Sequence, residues 1–99
     1  MTTKQHEMLV NWIRAGMIPW NRFNHRFPSN KIKELWEFEH KIDRMFDDRC
    51  YIPQEDIDAV MIECGFRVFD IRAPYLVFNI SPESPAALRF RAYIGIPPR

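Results

Sequence analysis

The sequence predicts an α+β fold: three helices followed by a small antiparallel β-sheet, a hairpin plus a third strand, in the order of a winged helix. Three observations carry this. Apolar residues recur at helical spacing as far as Gly65. Beyond it, β-branched and aromatic residues alternate with a period of two. The chain's 99 residues fit one domain, 1–99, with one core.

The first helix is expected over about Thr3 to Ala15, where Met8, Leu9, Trp12 and Ile13 share one face and Gly16 supplies a stop. A second begins at Ser29 or Asn30, either of which can cap it, and runs to about Asp48. Its stripe is Ile32, Leu35, Trp36, Ile42, Met45 and Phe46. Pro53 and the acids behind it announce a third helix, with Ile57, Val60, Met61 and Cys64 inward and Gly65 as its end. "FRVFDI" (66–71) and "YLVFNI" (75–80) then read as a hairpin, with Leu76, Phe78 and Ile80 on one face. "ALRFRAYIGI" (87–96) alternates and reads as the third strand, with Leu88, Phe90, Ala92 and Ile94 inward; a short helix from Ser84–Pro85 is the competing reading.

Between the first two helices lies "PWNRFNHRFP" (19–28). Trp20, Phe23 and Phe27 fall at i, i+3 and i+7, which predicts a short helical turn with an aromatic face turned to the core. Arg22, Asn24, His25 and Arg26 are then left to solvent. Interface hot spots favour Trp, Tyr and Arg close together, so these four are the candidate basic contact patch.

Charge is uneven along the chain. Residues 1–33 hold six Lys or Arg against one acid, and residues 34–48 hold six acids against two bases. Glu34, Glu37, Asp47, Asp48, Glu55 and Asp56 are candidates for an acidic contact surface. The formal net charge is only +1, so no global field draws in DNA or a membrane. No apolar run is long enough to span a bilayer, and "MTTKQHEML" lacks the pattern of a signal peptide. The expectation is a cytoplasmic protein, monomer or homodimer, with reduced Cys50 and Cys64.

Chemistry-bearing motifs are sparse. Three isolated glycines make no phosphate loop, and Cys50 and Cys64, 14 apart, make no zinc motif. Glu37 and His40 form one Glu-x-x-His pair, where di-metal sites need two. No cofactor and no metal are expected. An enzyme using Cys50 or His40 is the reading from a different class.

The third helix occupies the place of a winged helix's recognition helix, yet presents acids and no base from Tyr51 to Phe66. A nucleic-acid-binding regulator would have to use Arg72, Arg89 and Arg91 instead. The first expectation is therefore a non-enzymatic protein-interaction module.

The stretch "YIPQEDIDAVMIECGFRVFDIRAPYLVFNIS" (51–81) resembles a pattern found in small phage and prophage accessory proteins. There a short helix ends in Gly-aromatic and leads into an apolar-Phe-Asn-apolar-Ser strand. The resemblance implies a context: a protein of a phage or mobile element that binds and blocks a host protein or ribonucleoprotein complex, as anti-CRISPR and other anti-defence proteins do. It carries no catalytic residues.

Overall fold

The computed structural model describes residues 1–40, 51–69 and 74–95. It is predominantly helical: α1 (Thr3–Gly16), α2 (Ser29–Glu39), α3 (Gln54–Glu63) and α4 (Pro85–Tyr93). Among the described residues there is no β-strand, which overturns the α+β fold with its antiparallel sheet.

The first three helices follow from their ends and stripes. Thr2 accepts from the Gln5 N–H while the Gln5 side chain accepts from the Thr2 N–H, a capping box that starts α1. Gly16 is the last residue of α1 and lies buried against α4; a Cβ there would stand 3.2 Å from the Ala86 Cβ, so its role is close approach. For α2 the cap residue is Pro28, with no side-chain cap. The backbone N–H of Ser29 instead reaches across the chain to the Leu76 carbonyl. The expected extension of α2 to Asp48, with Ile42, Met45 and Phe46 in its stripe, lies outside the described residues. Helix α3 runs as the sequence predicts, buries Ile57, Val60 and Met61, and is followed by Gly65 at φ +96°.

Residues 85–93 are the main correction. Ala86, Ala87 and Phe90 are buried, at i, i+1 and i+4. Leu88 and Ile94, expected inward, are each 44% exposed. The alternation at 88, 90, 92 and 94 is coincidental. Pro85 at the start, two alanines and a run of good helix formers make a helix, and Gly95 at φ +82° follows it.

The hairpin is also replaced. Residues 76–80 lie between two neighbours and touch each by one isolated antiparallel bridge, Pro19 with Ile80 and Val68 with Phe78. Asn79 explains why no ladder propagates. Its carbonyl accepts from Trp20 N–H on one side, and its N–H donates to the Arg67 carbonyl on the other. The Arg67 N–H, which a ladder would give to a backbone carbonyl, goes to the Asn79 side-chain oxygen. The Asn79 amide then donates to the Trp20 carbonyl at 3.1 Å.

Helices α1 and α2 each pack on both α3 and α4, closing a ring of four around one core. Trp12 and Trp36 meet edge to face, 5.3 Å between centroids, and so join α1 to α2. Phe27, Phe78, Ile80 and Phe90 fill the end of the core nearest the non-helical segments.

Candidate functional site

Residues 19–28 are not helical. Two of the segment's backbone N–H groups, and that of Ser29 just past its end, tie it to 76–80: Trp20 to the Asn79 carbonyl, Asn24 to that of Phe78, and Ser29 to that of Leu76. Between these anchors the chain loops out. Asn24 forms the loop, its side-chain oxygen accepting from the Arg26 N–H at 3.1 Å and its carbonyl from the Phe27 N–H. Asn24 is therefore buried and committed to the loop's own turn, unlike exposed Arg22, His25 and Arg26.

The same geometry divides the aromatics. Phe27 is buried, its ring 5.1 Å from that of Phe90. Trp20 and Phe23 are only half-buried. With Phe27 and the α4 residues Ala87 and Phe90 they line a groove of about 320 Å³. Arg26 and His25 stand at its margin, Arg91 lines it from α4, and Ile94 lines it from just past that helix's end. The Arg22 guanidinium lies 6.0 Å above the Trp20 ring. Arg22, His25 and Arg26 are all exposed, as the sequence predicts. Phe69, itself exposed, extends the aromatic surface: Phe23 lies 5.3 Å and His25 5.0 Å from its ring.

Of the nucleic-acid set, Arg89 and Arg91 do not come together. On a strand Arg89 and Arg91 would share a face; on α4 they are about 200° apart. Arg91 turns to the groove, whereas Arg89 grips Glu39 of α2 through two nitrogens, with the second contact at 3.1 Å. Trp12 Nε1 donates to the same carboxylate at 2.8 Å. Burial pushes the Glu39 carboxyl up, but the hydrogen bonds from Arg89 and Trp12, with the charges of Arg89 and His40, outweigh it and hold its pKa below the usual range. Arg89 is thus a brace between helices. Arg72 lies outside the described residues.

The acidic set divides too. Asp47 and Asp48 lie outside the described residues. Glu34 pairs with Lys31 at 3.2 Å. Glu34 and Glu37 line a polar hollow of about 410 Å³ together with Lys33 and Tyr75. The Lys33 amine lies over the Tyr51 ring at 4.7 Å. Glu55 and Asp56 sit in the first turn of α3, Asp56 at 3.9 Å from the N-terminal amine. Among the described residues, a basic group stands beside Glu34 and beside Asp56.

The enzyme residues fare as follows. His40 stacks on Trp36 at 3.8 Å and its Nδ1 donates to the Trp36 carbonyl, which commits the ring to a helix end. Cys50 lies outside the described residues. Cys64 is half-buried, and burial pushes its thiol up against the lowering effect of Arg14, the reverse of an activated nucleophile. Among the described residues no three His, Cys, Asp or Glu side chains gather as a metal site. No helix there is long and apolar enough to cross a membrane.

The sequence points to the loop half of the groove and leaves the α4 half open between a strand over 87–96 and the helix from Ser84–Pro85 that the structure shows. The signal available was Ser84-Pro85 followed by two alanines. No protein-family model, curated protein or solved structure matches the chain.

Proposed function

We propose that the chain is a small, non-enzymatic protein-interaction module that holds its partner in the groove between residues 20–27 and α4. The observation that supports this is the accessibility of Trp20 and Phe23, half-buried side chains that wall an apolar groove with Arg22 and Arg26 beside them. Clustered aromatics and arginines around a depression are the anchors by which protein interfaces gain most of their affinity. The resemblance to phage accessory proteins supplies the context: an inhibitor, encoded by a phage or mobile element, that occupies a binding surface of a host defence complex in the manner of an anti-CRISPR.

Photocrosslinking in the native host tests the groove. A benzophenone amino acid is placed at position 23, in the groove, or at position 62, which is exposed outside it. Protein adducts that form from position 23 and not from position 62 are the expected result. Adducts from position 62 alone would show that the groove is the wrong surface. Nucleic-acid adducts from position 23 would replace the interaction module with the nucleic-acid-binding regulator.

A further inference from the structure

The groove's chemistry specifies what it takes, given that it is a protein-binding site. Its floor is apolar and closed. Phe27 and Phe90 pack ring against ring with 2% and 3% of their surface exposed, and Ala87 and Pro82 lie beside them. The polar floor residue, Asn24, spends its side-chain oxygen on the Arg26 N–H and its backbone on Phe78 and Phe27. A polar group pushed against Phe27, Phe90 and Ala87 would lose its water and gain little in return. The inserted part of a partner is therefore apolar. A volume of about 320 Å³ holds one large side chain.

The margin has the opposite character. Arg26 lines the groove, and Arg22 stands over Trp20, one of its walls. Among the described residues no carboxylate lines it, and the nearest described acid in sequence is exposed Glu83, next to the lining residue Pro82. Guanidinium groups bind carboxylates through paired, charge-assisted hydrogen bonds. Phosphates satisfy the same groups, but single-stranded nucleic acid is gripped by stacking successive bases on open aromatic faces. Here the floor rings are shut against each other, the Arg22 guanidinium stands over Trp20, and Phe23 and Phe69 pack against one another, so the aromatics offer no row of open faces to successive bases.

We propose that the occupant is a short acidic peptide segment of another protein, which inserts one large apolar side chain against Phe23 and Phe90 and sets carboxylates over Arg22 and Arg26. The proposal rests on the protein-interaction reading and names its ligand class.

Four fluorescent probes test it by anisotropy with the full chain: a short peptide with a central Trp flanked by Asp and Glu, the same anchor flanked by Lys, the acidic peptide with Ala as anchor, and a single-stranded oligothymidylate. The acidic Trp peptide is expected to bind at least about tenfold more tightly than either other peptide. Amide shifts in NMR spectra should then be confined to residues 20–27 and 82–94. The Arg22→Glu plus Arg26→Glu variant, with unchanged melting temperature, should invert the preference between acidic and Lys-flanked peptides. Equal binding of the two charged peptides, preference for the Lys peptide, or no peptide binding at about millimolar concentration overturns the acidic occupant. Those outcomes leave the groove itself to the crosslinking result. Binding of the oligonucleotide in place of the peptides, with shifts in the same groove, overturns both.

Discussion

Asn79 and Ser84 are buried polar side chains that connect segments far apart in sequence. Asn79 serves Arg67 with its oxygen and Trp20 with its amide. The Ser84 hydroxyl accepts from the Ile18 N–H at 2.8 Å and donates to the Ile18 carbonyl at 3.3 Å. It is therefore spent across the chain and does not cap α4, at whose N-cap it stands. Substituting Asn79→Leu strands the Arg67 N–H and the Trp20 carbonyl, at about 1–3 kcal/mol for each group left unsatisfied. Ser84→Ala strands the Ile18 N–H at a comparable cost of about 1–3 kcal/mol. Urea unfolding should show both as lower midpoints with unchanged slopes. Neither role is legible in the sequence. Asn79 reads there as an ordinary outward position on a strand, because a two-residue period says which face a side chain takes and nothing about which loop will reach it. A single polar residue inside the run from Leu76 to Ile80 is the faint sign.

At the scale of elements, the helices with informative ends were the legible ones. The stripe of Met8, Leu9, Trp12 and Ile13 before Gly16 marks α1, and Pro53 with Gly65 marks α3, by local chemistry that does not depend on the rest of the fold. Helix α4 was legible only as the alternative to a strand, since residues 88–94 satisfy a two-residue and a helical period at once. The choice is made by packing: Gly16 lets α1 approach Ala86, and Phe90 closes on Phe27. Phe90→Ala is therefore expected to cost about 3–5 kcal/mol, whereas Leu88→Asp, on the exposed side, should stay within about 0.5 kcal/mol. A strand with both residues inward would make the two equally damaging. Two carboxylates on neighbouring elements then give the acid limb opposite slopes. Glu39, depressed by its partners, contributes stability that is complete above the ordinary glutamate value of 4.5 and is lost as pH falls through its lower folded value. Asp58 is raised, first by burial and then by Glu55, against the hydrogen bond of Gln54. Its ionised form weakens the fold at neutral pH, and protonation relieves this as pH falls through the raised value toward the ordinary 3.8. Asp58→Asn should raise the midpoint of urea unfolding at pH 7 and lose that advantage in acid. Glu39→Gln should lower it at pH 7 and narrow the gap to wild type in acid.

Across the whole molecule, the non-helical segments bind the helical ring to the groove. Residues 19–28 hang from 76–80 by backbone hydrogen bonds, and 76–80 are held in turn by 67–69. The groove therefore has one wall on a loop anchored at both ends and another on α4, an arrangement that keeps an apolar floor open without a sheet beneath it. This separates stability from binding within ten residues of sequence, and four substitutions read out the separation. Phe27→Ala removes a ring at the junction of loop, core and α4, and should cost about 3–5 kcal/mol and disturb every amide of the loop. Phe23→Ala removes a half-buried wall; it should cost clearly less stability than Phe27→Ala while abolishing capture of the apolar anchor. Arg22→Glu and Arg26→Glu touch only the exposed margin and should leave unfolding within about 0.5 kcal/mol of wild type while changing which charges a ligand carries. If Phe23→Ala proves as destabilising as Phe27→Ala, the loop's aromatics act as one core plug and the groove is a packing feature. If the two differ as the burial of their rings requires, the segment is a scaffold at Asn24 and Phe27 and a contact surface at Phe23 and its flanking arginines.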